Sequence, residues 1–206
     1  MAKSAEEVLV DRSKRGDVAA FEELISQYEK KVYNLAYRLT GNYDDASDVA
    51  QEAFLRAFSR IREFRGDSSF ATWLFRIVSN ACLDELRKRR RQRLTSLDEP
   101  MPTEEGDMQR QFADSGDGPE QSLERQEIQR AVQESINSLD EEFRMVVILR
   151  DIQGHSYEEI AMILDLSLGT VKSRLNRARH ALKEKLVSME LFAPKIVYDG
   201  RKGVNR

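Results

Sequence analysis

Between Phe21 and Leu39, apolar residues return every three or four positions: Phe21, Leu24, Ile25, Tyr28, Val32, Leu35, Ala36 and Leu39. That spacing lines one side of a helix and predicts a single run that Gly41 ends, with Gly16 and Asp17 as the turn and N-cap before it. A second helix opens near Asn42, where Asp44 and Asp45 suit the positive helix end. Its buried side is Val49, Ala50, Ala53, Phe54, Ala57 and Ile61, and its opposite side is polar. After a loop at Arg65, Gly66, Asp67 and Ser68, with Ser68 or Ser69 as cap, a third helix carries Phe70, Trp73, Leu74, Ile77, Val78 and Ala81. The pattern then dissolves and returns at Leu123, Ile128, Val132 and Ile136. Ser138 and Glu141 have capping-box spacing ahead of Phe143, Met145, Val146, Val147 and Leu149.

The most informative stretch follows. Ser156 and Glu159 again stand at capping-box spacing, and Ile160, Ala161 and Leu164 mark one buried face. Asp165 and Leu166 break that pattern, Ser167 is suited to cap the next helix, and Val171, Leu175, Ala178 and Leu182 form its apolar stripe. The residues between them are Lys172, Ser173, Arg174, Asn176, Arg177 and Arg179. Two short helices joined by a tight turn, the second with a cationic and hydrogen-bonding side, read as a helix-turn-helix. Arg and Lys reach phosphates or the acceptor edge of guanine, and Asn pairs with adenine. An ordinary helical hairpin with a solvated basic face is the bland alternative.

Composition changes the picture in three places. The 206 residues suffice for two small domains, and scarce Gly and Pro (10 and 4) disfavour a turn-rich all-β design. The net charge of −3 argues against a nucleic-acid binder only as an average, because positive charge gathers at residues 87–91 with Arg93, and again at residues 172–179. The cationic end of the third helix suits both phosphate contact and the negative helix terminus, so binding and stability explain it equally. Negative charge gathers at residues 95–124, where Asp98, Glu99, Glu104, Glu105, Asp107, Asp114, Asp117, Glu120 and Glu124 face a single Arg110 among three of the four prolines. Such a stretch buries too little to fold alone and predicts a flexible acidic linker.

The expected architecture is all-α: an N-terminal helical bundle over 1–93, a linker over 94–122, a helix-turn-helix domain over 123–187 and an extension over 188–206. Cys82 is the one cysteine, which excludes a disulfide and a thiolate-rich metal site, and it reads as a small packed residue. His155 and His180 are too isolated for a metal site and read as surface polar residues, so no cofactor is expected. No apolar run reaches membrane-span length and the N-terminus has no secretory core, so the expected location is the cytosol without membrane insertion.

Three blocks together resemble an extracytoplasmic-function (group IV) sigma factor of bacterial RNA polymerase: GDVAAFEELISQYEKKVYNLAYRLTGNYDDASDVAQEAFLRAF, FRGDSSFATWLFRIVSNACLDELRKRRR, and SLDEEFRMVVILRDIQGHSYEEIAMILDLSLGTVKSRLNRARHAL. The resemblance spans roughly residues 8–186. It implies that Asp48, Gln51 and Glu52, matching a DxxQE block, dock on the coiled coil of the polymerase β′ subunit, with core polymerase (β and β′) as partner. It implies that the loop and third helix open and read the minus-10 promoter element. Phe64, Gly66, Ser68, Thr72 and Asn80 would then form a base pocket, while Arg76, Arg87 and Lys88 hold phosphates. Lys172, Ser173, Arg174, Asn176, Arg177 and Arg179 would read the minus-35 element in duplex form. The linker would thread toward the RNA exit path, and an anti-sigma factor, able to hold the chain at the membrane, would be a further partner. The competing reading is a helix-turn-helix operator-binding regulator that never joins polymerase; it leaves the DVAQE face unexplained. An enzyme ranks last, because the sequence offers no phosphate loop, nucleophile–base pair or metal cluster.

Overall fold

The computed structural model describes residues 3–95 and 119–188, all helices and turns without a strand among them. The helices are α1 (Ala5–Lys14), α2 (Val18–Ser26), α3 (Glu29–Thr40), α4 (Tyr43–Arg60), α5 (Phe70–Thr95), α6 (Pro119–Asn137), α7 (Glu141–Val147), α8 (Tyr157–Leu164) and α9 (Leu168–Ser188). A 3₁₀ turn, Ile61–Glu63, follows α4, and α7 runs into a π-helical turn at Ile148–Ile152.

Helix α1 lies outside the expected pattern although its signal is in the chain: Ser4 and Glu7 form a reciprocal capping box. The run expected as one helix is two. It breaks at Gln27 and Tyr28, where the Tyr28 N–H turns to the carbonyl of Ile25 and its hydroxyl bonds to Glu6 of α1. Both pieces keep their apolar residues on the same core, so the periodicity survives the break. Asp17 and Asn42 cap α2 and α4 as expected, and Gly41 ends α3 at φ +72°. Ser69, not Ser68, caps α5, its Oγ accepting from the Thr72 N–H at 3.1 Å. Ser138 is no cap: its hydroxyl donates to the Ser135 carbonyl, and α7 starts after Asp140 instead. Helices α5 and α6 reach into the segment expected as linker. Residues 96–118 and the expected extension beyond Ser188 lie outside the described residues.

The core of the N-terminal unit is α5 packed on α3 and α4, with Leu35, Leu39, Ala53, Leu74 and Val78 fully buried. Phe64, Phe70 and Trp73 close one end, their ring centroids 5.3–5.9 Å apart. In the C-terminal unit, α7 and α8 pack on α9 around Met145, Leu149, Ile160, Ile163 and Leu175.

The two units meet along α3 and α5. The last carbonyls of a helix have no partner within it, and two of those of α3 are taken by the other unit. The Arg144 guanidinium donates to the Leu39 carbonyl at 3.0 Å, and the Gln133 amide to the Arg38 carbonyl at 3.3 Å. Arg38 donates in turn to the Gln133 side-chain oxygen at 3.1 Å, and Gln153 to the Lys31 carbonyl at 3.1 Å. Burial lowers the pKa of both Arg38 and Arg144 from the ordinary guanidinium value. Phe75 of α5, 1% exposed, sets its ring edge-on to His155 with centroids 4.6 Å apart. His155 is therefore buried, which corrects its reading as a surface residue; His180 is exposed.

Cys82 is packed as expected, and burial pushes its thiol up to about 12. It should stay unreactive toward a disulfide reagent at pH 8 in the folded chain and react fully in denaturant. Stoichiometric reaction before unfolding would contradict this packing.

Candidate DNA and polymerase surfaces

Three surfaces carry the residues singled out in the sequence. On α4, the Asn42 side chain accepts from the N–H groups of Asp44 and Asp45 at 2.8 and 3.1 Å and fixes where the helix begins. With Ala46, Val49, Ala50, Ala53 and Ala57 buried, the helical period turns Asp48, Gln51 and Glu52 outward, and all three are exposed. Glu52 holds the Arg56 guanidinium at 2.7 Å, and Arg56 reaches Asp84 of α5 at 3.1 Å, so the acidic face is braced against the next helix. Beside Gln51 an open apolar groove of about 460 Å³ runs between α2 and α4, lined by Val18, Phe21, Ile25, Phe54, Leu55 and Phe58. Leu55 is 59% exposed and Val18 52%. Large apolar side chains next to carboxylates suit a protein partner and repel DNA. The groove was not foreseen, because Val18 and Leu55 fall off the stripes that mark the core.

The second surface is the loop before α5 and the outer side of that helix. Gly66 (φ +82°) is exposed, and a side chain there would meet nothing within 4 Å. Asn80, Arg76, Arg87 and Lys88 are exposed, and Ser68 is partly so. Two of the expected pocket residues face inward. Phe64 is 9% exposed within the aromatic cluster, with the Lys14 ammonium 5.2 Å from its ring centre. Thr72 is 3% exposed and its hydroxyl lies 2.8 Å from Ser69 Oγ. In this conformation both shape the loop. The cations are not bare: Arg76 lies 3.7 Å from Asp165, Arg87 3.9 Å from Asp84, and Lys88 3.4 Å from Glu85. Exposed pairs of this kind are worth at most ~1 kcal/mol each, so a phosphate displaces them readily.

The third surface is the helix-turn-helix. Ser156 and Glu159 form the reciprocal box, with bonds of 3.1 and 2.7 Å. Between α8 and α9 the chain reverses at Asp165, which takes a left-handed conformation (φ 55°, ψ 50°), and the Leu166 N–H returns to the Ala161 carbonyl at 2.9 Å. Asp is among the few residues that tolerate this geometry. Ser167 then accepts from the Thr170 N–H at 3.1 Å and starts α9. With Val171, Leu175 and Ala178 buried, Lys172, Ser173, Asn176 and Arg177 point to solvent on one side. Arg174 and Arg179 are tied down: Arg174 pairs with Glu142 of α7, and Arg179 forks onto both oxygens of Asp151. Glu142 and Asp151 were not foreseen, since only the tertiary fold brings them to α9.

Among the described residues no cluster of three or more His, Cys, Asp or Glu is placed for a metal, and no helix is long and apolar enough to cross a membrane.

A helical unit with an acidic face beside an apolar groove and a cationic helix, followed by a helix-turn-helix, suits a DNA-binding protein that works with a protein partner. Residues 24–92 match the family described as Sigma-70 region 2, and residues 129–182 match Sigma-70, region 4. The chain is 38% identical to the RNA polymerase sigma-H factor of Pseudomonas aeruginosa, over 90% of this chain and 96% of that one. It is 37% identical to the extracytoplasmic-function factor SigW of Bacillus subtilis (86% and 94%) and 39% identical to the sigma-E factor of Escherichia coli K12 (88% and 94%). Among solved structures it resembles CnrH in complex with the cytosolic domain of CnrY, with a TM-score of 0.65 and 28% identity over 90% of this chain and 99% of that one. It also resembles the sigma factor RpoE of Bartonella quintana in complex with the anti-sigma factor NepR, with a TM-score of 0.61 and 26% identity over 81% and 96%. The chain belongs to the sigma-70 family, in its extracytoplasmic-function group. The operator-binding regulator does not fit, because half of the likeness lies in region 2, where such a regulator has no counterpart.

Ser156→Ala removes the capping box that starts the helix-turn-helix. It should cost about 1 kcal/mol, read as a lower thermal midpoint, whereas Ser138→Ala should lose less because Ser138 caps nothing.

Proposed function

We propose that this chain is a promoter-specificity subunit, without catalytic activity of its own, that joins core RNA polymerase through α4 and reads two promoter elements with α5 and α9. The observation that carries this reading is the pairing of two unlike surfaces on one rigid unit. Asp48, Gln51 and Glu52 beside an apolar groove favour a protein partner, while Arg76, Asn80, Arg87 and Lys88 on the adjoining α5 favour nucleic acid. A unit with both can deliver DNA to a partner.

At the minus-10 element, α5 and its preceding loop hold a displaced strand. Taking a base out of the stack costs a few kcal/mol, which contacts to the freed base and strand must offset. Gly66 leaves room for a backbone to approach, Ser68 and Asn80 offer hydrogen bonds to a base, and Arg76, Arg87 and Lys88 neutralise phosphates. Phe64 and Thr72, buried here, serve by holding the loop. At the minus-35 element, Lys172, Ser173, Asn176 and Arg177 enter the major groove, with Arg174 and Arg179 reaching phosphates once they leave their carboxylates.

The element names imply a separation of about 25 base pairs, or ~85 Å at 3.4 Å per pair. A compact chain of this length has a radius of gyration of only ~17 Å. The two units must therefore part before both elements are bound, and core polymerase is the frame that holds them apart. The neighbour solved with an anti-sigma factor supports a further partner that competes for the same surfaces, and a membrane-held partner of that kind would place the inactive chain at the membrane.

Run-off transcription with purified core polymerase and a promoter library tests this. The chain should confer promoter-dependent initiation, whereas a protein that only binds duplex DNA would not. Asn80→Ala should weaken open-complex formation more than closed binding; equal loss in both would remove Asn80 from the pocket. Arg177→Ala should weaken minus-35 binding by ~1–3 kcal/mol with relaxed specificity, while a uniform loss across sequences would mark a phosphate contact only.

A further inference from the structure

His155 has no assigned part in DNA or polymerase contact, yet it is a buried titratable side chain at the seam between the units. Its residue is 9% exposed, its ring meets Phe75 of α5 edge-on, and its Nε2 is buried without a hydrogen-bond partner. The groups that face it are few. Glu159 of α8 holds a carboxylate oxygen 3.7 Å from Nδ1, and that oxygen already accepts from the Ser156 N–H at 2.7 Å. Lys31 of α3 adds a positive charge from the opposite unit. Arg150, from the turn after α7, donates to the His155 backbone carbonyl at 2.8 Å and lies over the Tyr157 ring. From α5 the contact is the apolar Phe75, with Arg76 next to it engaged by Asp165.

We infer that His155 is a proton-sensitive latch: neutral imidazole holds the two units together, and its protonation releases them. A proton on the ring puts a charge into a site closed off from water and leaves an N–H donor at Nε2 with nothing to receive it. Parting the units exposes the ring to water beside Glu159 and takes Lys31 away, so the open form binds the proton more tightly. The structure agrees in sign. Burial is the largest influence on His155 and lowers its pKa from the ordinary value, with Lys31 acting the same way and Glu159 opposing. Because the closed form has the lowered pKa, its stabilisation is complete above the ordinary histidine range, about 6.5, and is lost as pH falls through it. The other polar seam contacts described above are carbonyl bonds from Arg144, Gln133 and Gln153, the bond from Arg38 to the Gln133 side chain, and the pair of Arg76 with Asp165. None of these groups ordinarily titrates between pH 5.5 and 7.5. The chain has only two histidines, and His180, exposed on α9 beside Glu184, is a built-in control.

The test reads distance between the units and does not depend on transcription. Exposed positions Glu23 and Lys183 are changed to Cys in a Cys82→Ala background and labelled for single-molecule energy transfer. Single molecules are needed because the pI near 5.6 lies in the titration range and invites association at higher concentration. From pH 7.5 to 5.5 the fraction of compact molecules should fall, with at most a tenfold change in the compact-to-open ratio for each unit by which the two forms' pKa values differ. His180→Gln should fall in the same way, and His155→Phe, which keeps a ring against Phe75, should stay flat. Circular dichroism at each pH checks that helix content is kept; should His155→Phe lose helix, His155→Gln replaces it. A compact fraction that does not respond to pH, or one that responds equally with His155 replaced, would overturn the latch.

Discussion

Helix α5 is buried on more than one side over its first turns. Leu74 and Val78 are fully enclosed in the core it shares with α3 and α4, while Phe75, one position away, is enclosed against His155 of the C-terminal unit. A helix with apolar residues on two sides cannot lie on a surface. It needs a neighbour on each side, and here the second neighbour is a separate folding unit. That single requirement sets the C-terminal unit against α5. Each unit keeps a core of its own, so parting them exposes a seam and leaves both units folded.

The seam also accounts for what could and could not be read along the chain. Stripes at Val32, Leu35, Ala36 and Leu39, and at Val171, Leu175 and Ala178, were legible because each is buried by neighbours within its own unit. The helix-turn-helix caps were legible because Ser156, Glu159 and Ser167 act within a few residues of themselves. Phe75, His155, Arg38 and Arg144 were not, since their partners stand far away in sequence and obey no period. The misplaced cap at Ser138 and the unexpected break at Tyr28 have a related cause. Capping spacing and helical periodicity are local signals that a competing bond overrides, a distant one for Tyr28, whose hydroxyl reaches Glu6, and a nearby one for Ser138, whose hydroxyl turns back to the Ser135 carbonyl.

Charge is organised the same way. A chain with a net charge of −3 still gathers clusters of cations on α5 and α9, and several of them rest on carboxylates: Arg76 on Asp165, Arg174 on Glu142, Arg179 on Asp151. Such pairs hold long side chains near the geometry that a phosphate will need. They also lower the field that the free chain presents to DNA, and exchanging a carboxylate for a phosphate costs little at an exposed site. Arg76 with Asp165 is the informative case, because the carboxylate comes from the other unit. Closing the seam therefore also occupies one of the cations proposed to hold phosphate.

The proposed reading of two promoter elements has the units separate, and one measurement addresses that directly. Gln153 donates to the Lys31 carbonyl across the seam, and neither residue belongs to the DNA or polymerase surfaces. Changing both to Cys in a Cys82→Ala background and bridging them with a short, reducible crosslinker holds the chain closed. With core polymerase and a two-element promoter, the bridged chain should fail to initiate, and reduction of the bridge should restore initiation. Undiminished initiation from the bridged chain would mean that the closed arrangement is itself competent, and that the units never need to part.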